Sequence, residues 1–379
     1  LYGNCTANGE DVMRIGLIGF GGMGKTHAWA VENLKYYYAP LPFSAKITGV
    51  CTAHPETAAE ACERYGLGRV YASQEEMIAD PAIDVIDICT PNIFHYETLK
   101  KAILAGKHIY CEKPLCVSAE EAFEIAALAK ASGRTCAVVF NTRFLLPVMR
   151  AKELADAGRL GRILSFRGAF LHSSAADPKK NAGWKQDREI CGGGVLFDLG
   201  SHTIDLIQYL CGSFVEVTGW SQIAYPKRCG RDGREWSTNA EEAFYLTAKL
   251  TCGAVGTITV GKIMCGANDD HSFEIYGERG SLRFNLMQPN FLWFYDNTAP
   301  ERERGYVKIE CCGRYPAPGG VFPGVKAPIG WLRGHLASMY NFLDGVYREG
   351  EVSPSFDEAA HVQAVMEAAY LSDKSGQRE

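Results

Sequence analysis

The tightest constraint on this chain is a short apolar run that stops at a cluster of glycines. Val12 to Ile18 (VMRIGLI) leads into Gly19-Phe20-Gly21-Gly22-Met23-Gly24, and a helical pattern opens at about Gly22. An apolar run of this length ending in glycine predicts a parallel strand buried on both faces. Between a strand and a helix, the spacing G-x-G-x-x-G gives each glycine a role. Gly19 permits the tight turn, Gly21 lets the backbone approach a pyrophosphate, and Gly24 lets the helix pack closely on the strand. The helix N-terminus then faces the anion with free N–H groups and the positive end of its dipole. Gly19, Phe20, Gly21, Gly22, Met23 and Gly24 are therefore the expected cofactor-binding turn of a dinucleotide-binding domain.

The residues that follow keep alternating. Strands are expected at Lys46 to Cys51, Val85 to Cys89, His108 to Cys111 and Thr135 to Phe140, and helices at Pro55 to Tyr65, His95 to Ala105 and Ala119 to Ala131. Strands separated by helices of this length imply parallel βαβ units and a doubly wound sheet. The pattern changes after about residue 143. A helix over Leu145 to Ala157, a strand over Arg162 to Phe170 and an amphipathic helix over Val195 to Cys211 come first. Strands then follow in succession at 215–225, 243–251, 254–262, 272–276 and 281–285, as in an antiparallel sheet. Pro300 to Pro328 is rich in Pro and Gly and is expected to be a long loop. Helices over Trp331 to Glu349 and Phe356 to Asp373 close the chain. The expected domains are a Rossmann domain over 12–142 and a substrate-binding and oligomerisation domain over 143–379, the last helices being free to pack back on the first domain. Residues 1–11 are polar and are expected to be a disordered lead or expression remnant outside the fold.

Composition narrows the function. A formal charge of -5 offers no basic face for nucleic acid or an anionic membrane. No apolar run approaches the roughly 20 residues needed to cross a bilayer. The 14 cysteines include no C-x-x-C pair, and Cys51, Cys89, Cys111 and Cys136 sit in or beside apolar runs where a thiol packs as a small hydrophobe. A reducing cytoplasm is expected. No H-E-x-x-H motif appears, and no metal is expected.

The second strand should end in the residue that meets the adenine ribose. An acidic residue there favours NAD, and a nearby Arg favours NADP. Thr52 holds that position in Val50-Cys51-Thr52-Ala53-His54, and no Lys or Arg follows until Arg64. NAD and NADP both stay open, with NAD preferred because no guanidinium is present to hold a 2′-phosphate.

Cys111-Glu112-Lys113-Pro114 after the fifth strand resembles the Glu-Lys-Pro motif of the Gfo/Idh/MocA oxidoreductases. Thr90-Pro91-Asn92-x-x-His95 looks like the same family's adjacent motif, and Gly192 to His202 (GGGVLFDLGSH) is similar to its substrate-domain helix. Phe273 to Leu282 and Glu367 to Ser372 match in style, so the resemblance covers about residues 12 to 376. It implies a Rossmann domain followed by an α/β domain on a large, mostly antiparallel sheet. That open sheet would join subunits into a homodimer or homotetramer. It also implies hydride transfer between the nicotinamide and a CH–OH group of a sugar, glycoside or polyol.

Within that frame Lys113 is the first catalytic candidate. A desolvated lysine beside a nicotinamide can exchange a proton with a carbinol oxygen. Thr90, Pro91, Asn92, His95, Glu112 and Lys113 are the further cofactor contacts the resemblance implies, with Glu112 close to the nicotinamide ribose. Asp198 and His202 stand four apart, which puts both on one face of a helix, and a His beside a carboxylate can act as acid or base near neutral pH. The resemblance makes His202 the proton-transfer residue and Asp198 its relay or substrate-binding partner, with Asp205 a further orienting candidate. Asn141 and Arg143 are expected to shape the cleft or fix the domain junction. His172, Trp184 and Lys185 on the approach to the glycine run are candidate substrate contacts, as are Trp331 and His335 at longer reach. Two other activities stay open: a glycosidase that works by transient oxidation and elimination, and a non-catalytic dinucleotide-binding regulator.

Overall fold

The computed structural model describes residues 12–230 and 233–379. The expected lead at 1–11 lies outside them. Six strands form the first sheet: β1 (Val12–Ile18), β2 (Ser44–Cys51), β3 (Arg69–Val70), β4 (Val85–Ile88), β5 (His108–Cys111) and β6 (Cys136–Val138). All pair in parallel, in the order β3-β2-β1-β4-β5-β6. Helices α1 (Gly22–Tyr37), α2 (Pro55–Tyr65), α3 (Gln74–Ala79), α4 (His95–Leu104) and α5 (Ala119–Ser132) connect them. Every residue of β4 is buried, as a strand covered on both faces requires. The strand order reverses between β1 and β4, and such a reversal opens a ligand crevice at the strands' carboxyl ends. β3 and α3 are absent from the sequence expectation, because two and six residues are too short to show a period.

The second part begins with α6 (Leu146–Asp156), β7 (Ile163–Leu171) and the single turn α7 (Arg188–Cys191). The amphipathic stretch at 195–211 is not one α-helix. It starts as a π-helical turn, Leu196–Gly200, and continues as α8 (Ser201–Cys211). β8 (Phe214–Gln222), a small hairpin of β9 (Lys227–Cys229) and β10 (Glu235–Ser237), then β11 (Ala243–Leu250), β12 (Val255–Gly261), β13 (Asp270–Gly277), β14 (Gly280–Asn285), β15 (Phe291–Asp296) and β16 (Tyr306–Glu310) follow. Eight of these strands form a sheet in the order β16-β15-β14-β13-β7-β12-β11-β8, antiparallel except for β7 beside β12. β16 corrects the expectation of an unbroken loop over 300–328. It is an edge strand with four of five residues exposed, so no apolar alternation announced it.

α9 (Trp331–Arg348) and α10 (Phe356–Ser375) end the chain. α9 packs on α1, and α10 lies between α5 and β8. The Tyr110 hydroxyl on β5 donates to Ser338 Oγ on α9 at 2.8 Å, and its ring stacks on Phe342 at 5.0 Å. The large sheet therefore has one face covered by helices. Its other face carries exposed Trp220, Tyr245 and Val255. No helix among the described residues is long and apolar enough to cross a membrane.

Candidate active site

The glycine turn has the geometry its spacing implies. Gly19 has φ +95°, and a Cβ there would lie 2.5 Å from the Cys89 carbonyl oxygen. At Gly24 a Cβ would lie 2.3 Å from the Gly19 carbonyl oxygen, so only glycine lets α1 sit this close to β1. Around Gly21 and Gly22 a Cβ would meet nothing within 4 Å. These two positions face open space at the N-terminus of α1, where no side chain caps the helix. Phe20 is buried with its ring 5.5 Å from that of Tyr65, and Met23 is half-buried. Thr52 follows β2 and donates its hydroxyl to the His54 carbonyl at 2.7 Å.

The loops after β4 and β5 are tied to each other. The His95 ring lies between the carbonyl oxygens of Thr90 (3.0 Å) and Pro114 (2.9 Å), and burial pushes its pKa down. His95 therefore braces the two loops, its neutral ring having one N–H to donate to one of these carbonyl oxygens. Pro91 precedes a short turn, Asn92–Phe94, and the Asn92 amide donates to the Cys191 carbonyl at 2.8 Å, reaching into the second domain. Thr90 Oγ1 is buried and has no hydrogen-bond partner among the described residues.

Lys113 and Asp198 meet across the crevice. Lys113 Nζ donates to the Asp198 carbonyl at 2.5 Å and lies 3.1 Å from Asp198 Oδ1. Two more lysines share that carboxylate. Lys185 Nζ is 2.9 Å from both oxygens, and Lys262 Nζ is 2.8 Å from Oδ2. Burial alone would raise the Asp198 pKa, but Lys262, Lys113 and Lys185 hold it well below the usual carboxylate range. Burial lowers the Lys113 pKa below the ordinary lysine value; Asp198 opposes the shift and Lys185 adds to it. Trp184, Lys185, Gly193, Gly194, Asp198 and Lys262 line a small pocket at this point.

His202 is arranged differently from the expected pair. An i,i+4 pairing belongs to an α-helix, and the π-helical turn Leu196–Gly200 alters that geometry between Asp198 and His202. No hydrogen bond joins Asp198 to His202 among the described residues. The His202 ring packs 5.8 Å from Phe140 and 6.0 Å from Phe170, with a buried Nδ1 that has no partner. Burial, then Lys113 and His271, push its pKa well below the ordinary value. These influences favour the neutral imidazole.

Other expected contacts lie elsewhere. Arg143 is 3% exposed and all three of its nitrogens are engaged, by Asp205, Glu358 and Ser353. That places Arg143 in the domain junction and not the cleft, which corrects it as a substrate-binding residue, and it corrects Asp205 as a partner of His202, since the buried guanidinium holds that carboxylate through two of its nitrogens. Asn141 is buried where its turn packs against α9. His172 Nε2 lies 2.9 Å from Asp269 Oδ1. Lys262 was not anticipated as a site residue. Its signal was a lysine ending an otherwise uncharged strand, which only the register of β12 aims at Asp198. His27 was also missed, although a histidine on the buried face of α1 beside Gly24, Ala28 and Val31 is an anomaly visible in the helical pattern.

A glycine cradle open at Gly21 and Gly22 and an orphaned buried hydroxyl at Thr90 fit a dinucleotide. The fold and site thus define a two-domain, dinucleotide-dependent oxidoreductase. Residues 13–140 match the family described as "Oxidoreductase family, NAD-binding Rossmann fold", and residues 148–283 match "GFO/IDH/MocA C-terminal domain". The chain belongs to the Gfo/Idh/MocA oxidoreductases and is an NAD(P)-dependent dehydrogenase acting on CH–OH groups. It is similar to levoglucosan dehydrogenase of Pseudarthrobacter phenanthrenivorans, 31% identical over 94% of this chain and 95% of that protein. It is also similar to D-glucoside 3-dehydrogenase of Escherichia coli, 26% identical with 97% of each covered. Among solved structures, levoglucosan dehydrogenase in complex with NADH and L-sorbose superimposes with a TM-score of 0.94 at 31% identity, covering 97% of this chain and 98% of the other.

Proposed function

We propose that this enzyme oxidises a secondary hydroxyl of a sugar, glycoside or related polyol to the ketone, with Lys113 as the proton acceptor. The observation that carries the reading is the meeting of Lys113 with Asp198, one from each domain, beside the dinucleotide crevice. Gly19 to Gly24, Thr52, Thr90 and Glu112 would hold the cofactor. The bound cofactor would supply a nicotinamide as acceptor for the hydride of the carbinol carbon. Burial and the neighbouring Lys185 cation favour the free amine of Lys113, the form that takes the hydroxyl proton. Asp198, gripped by three lysines, aims them into the pocket, where their N–H groups match sugar hydroxyls. His202, its basicity lowered by burial and by Lys113, suits a hydrogen bond to a substrate hydroxyl better than proton abstraction. The half-exposed Trp184 ring offers a surface for the apolar face of a pyranose. The likeness to levoglucosan and D-glucoside 3-dehydrogenases supports a sugar substrate, with oxidation at C3 of a glycoside as the narrower form. The open face of the large sheet, with Trp220 and Tyr245 exposed, is where copies of the chain would join.

The test is a panel of free sugars, glycosides, levoglucosan and inositols with NAD or NADP, read by NADH or NADPH fluorescence. Reduction of cofactor by at least one member, lost in Lys113→Ala, is expected. Reduction by none would sink the reading. Release of aglycone without net NADH would move it to oxidation-assisted elimination.

A further inference from the structure

His27 is a buried polar group that the reaction above leaves without a task. It lies early in α1, in the helix that the glycine turn opens, and is 1% exposed. Its Nδ1 is 2.9 Å from Asp87 Oδ1 on β4, and its Nε2 is 3.1 Å from Glu112 Oε1 just past β5. With a carboxylate at each nitrogen, both positions call for an N–H donor, and only the imidazolium has two. The Cys89 sulfur is 3.2 Å from Nδ1, and the rings of Tyr110 and His335 lie 5.2 Å and 6.3 Å away. Burial opposes a charge on this ring and the Asp87 carboxylate at Nδ1 favours it, holding its pKa well above the ordinary value, while burial keeps the Cys89 thiol protonated.

The second oxygen of Glu112 accepts from the Lys113 backbone N–H at 3.2 Å. One carboxylate is thus gripped from two sides, by α1 through His27 and by the chain that carries the reactive lysine. Burial raises the Glu112 pKa, and the hydrogen bond and charge of His27 overturn that and keep it low. The elements that His27 joins are those whose ends build the dinucleotide crevice: α1, β4 and β5.

We propose that His27 is a positioning residue, which clamps the Glu112 carboxylate to α1 and so holds the glycine turn, the cofactor contact at Glu112 and the Lys113 backbone in one frame. The inference rests on the dehydrogenase reading and deepens it. Asp87 supplies the counter-charge that makes a buried cation tolerable. The same place gathers His27, Asp87 and Cys89 with ligand atoms within 4.8 Å of one another. A nitrogen that carries a proton has no lone pair for a metal, so the two roles exclude each other.

The experiment is a double-mutant cycle on NADH binding by fluorescence titration without substrate, using the full chain as wild type, His27→Gln, Glu112→Gln and the pair. His27→Gln is expected to weaken NADH binding about tenfold, ~1.4 kcal/mol, and to lower kcat, while adding little in the Glu112→Gln background. Unchanged NADH affinity in folded His27→Gln, or fully additive losses, would overturn the proposal. Nitrogen-15 NMR of the wild-type imidazoles covers the case in which the variant fails to fold. Two protonated nitrogens on His27 at neutral pH are expected, and a neutral tautomer, or one equivalent of bound transition metal in the purified protein, overturns the clamp. Failure of the wild type to bind either NADH or NADPH would instead defeat the dehydrogenase reading itself.

Discussion

Lys262, one residue past β12, places its Nζ 2.8 Å from Oδ2 of Asp198, and both side chains are mostly buried. A strand of the large sheet thereby fixes the carboxylate to which the Rossmann lysine donates. Removing one partner of such a pair leaves the other charge unbalanced in a poorly hydrated place. Lys262→Met should lower kcat/KM by about ten- to a hundredfold, as the loss of a charged hydrogen bond of ~1.5–3 kcal/mol implies. NADH affinity should be unchanged. Steady-state kinetics beside a binding titration read both, and an unaltered kcat/KM would mean that Asp198 is held well enough by Lys113 and Lys185.

The pH profile should report Lys113. Burial lowers its pKa against the pull of Asp198, with Lys185 pushing the same way as burial. Oxidation needs the free amine, so kcat/KM should rise with pH through an inflection below the ordinary lysine value of about 10.4. Lys185→Met removes a like charge, and Lys113 then holds its proton more tightly. The inflection should move to higher pH in that variant. An inflection that stays put or moves down would separate Lys185 from Lys113.

Two glycines of one turn should answer differently to alanine. At Gly24 the added Cβ meets the Gly19 carbonyl at 2.3 Å, so Gly24→Ala should lower the melting temperature and weaken NADH binding together. At Gly21 nothing lies within 4 Å, so Gly21→Ala should leave the melting temperature alone and weaken NADH binding only. Thermal melts with and without NADH decide this. Equal affinity in Gly21→Ala and wild type would place the pyrophosphate elsewhere.

Arg143 should prove a matter of stability. Its guanidinium is buried against Asp205 at 2.5 Å and Glu358 at 2.6 Å, and Arg143→Ala would strand both. A loss of about 3–5 kcal/mol is expected from breaking a buried pair, seen as a lower urea midpoint. NADH affinity of the folded fraction should stay close to wild type. A variant as stable as wild type but unable to turn over substrate would return Arg143 to the cleft.

Local order was legible in the sequence. The run Val12 to Ile18, the glycine turn and the later alternation of strand and helix are short-range patterns. Each follows from which side chains a buried strand or a helix start accepts. Glu112 and Lys113 were legible through a motif, and Asp198 through its place after three glycines. Elements without a period, such as β16 at an exposed edge, were not. The site itself was decided by tertiary structure. Asp198 and His202 looked like a pair by spacing, yet a π-helical turn and the register of β12 give Asp198 to three lysines and leave His202 among aromatic rings. Arg143 looked available until α8 and α10 brought Asp205 and Glu358 to it. His27 acquired a meaning only when β4 and β5 set a carboxylate at each of its nitrogens. The sequence by itself determined that a dinucleotide turn opens the chain, because the turn's sterics are local. Which charges face one another depends on the packing of elements distant in sequence, and only the folded chain decided that.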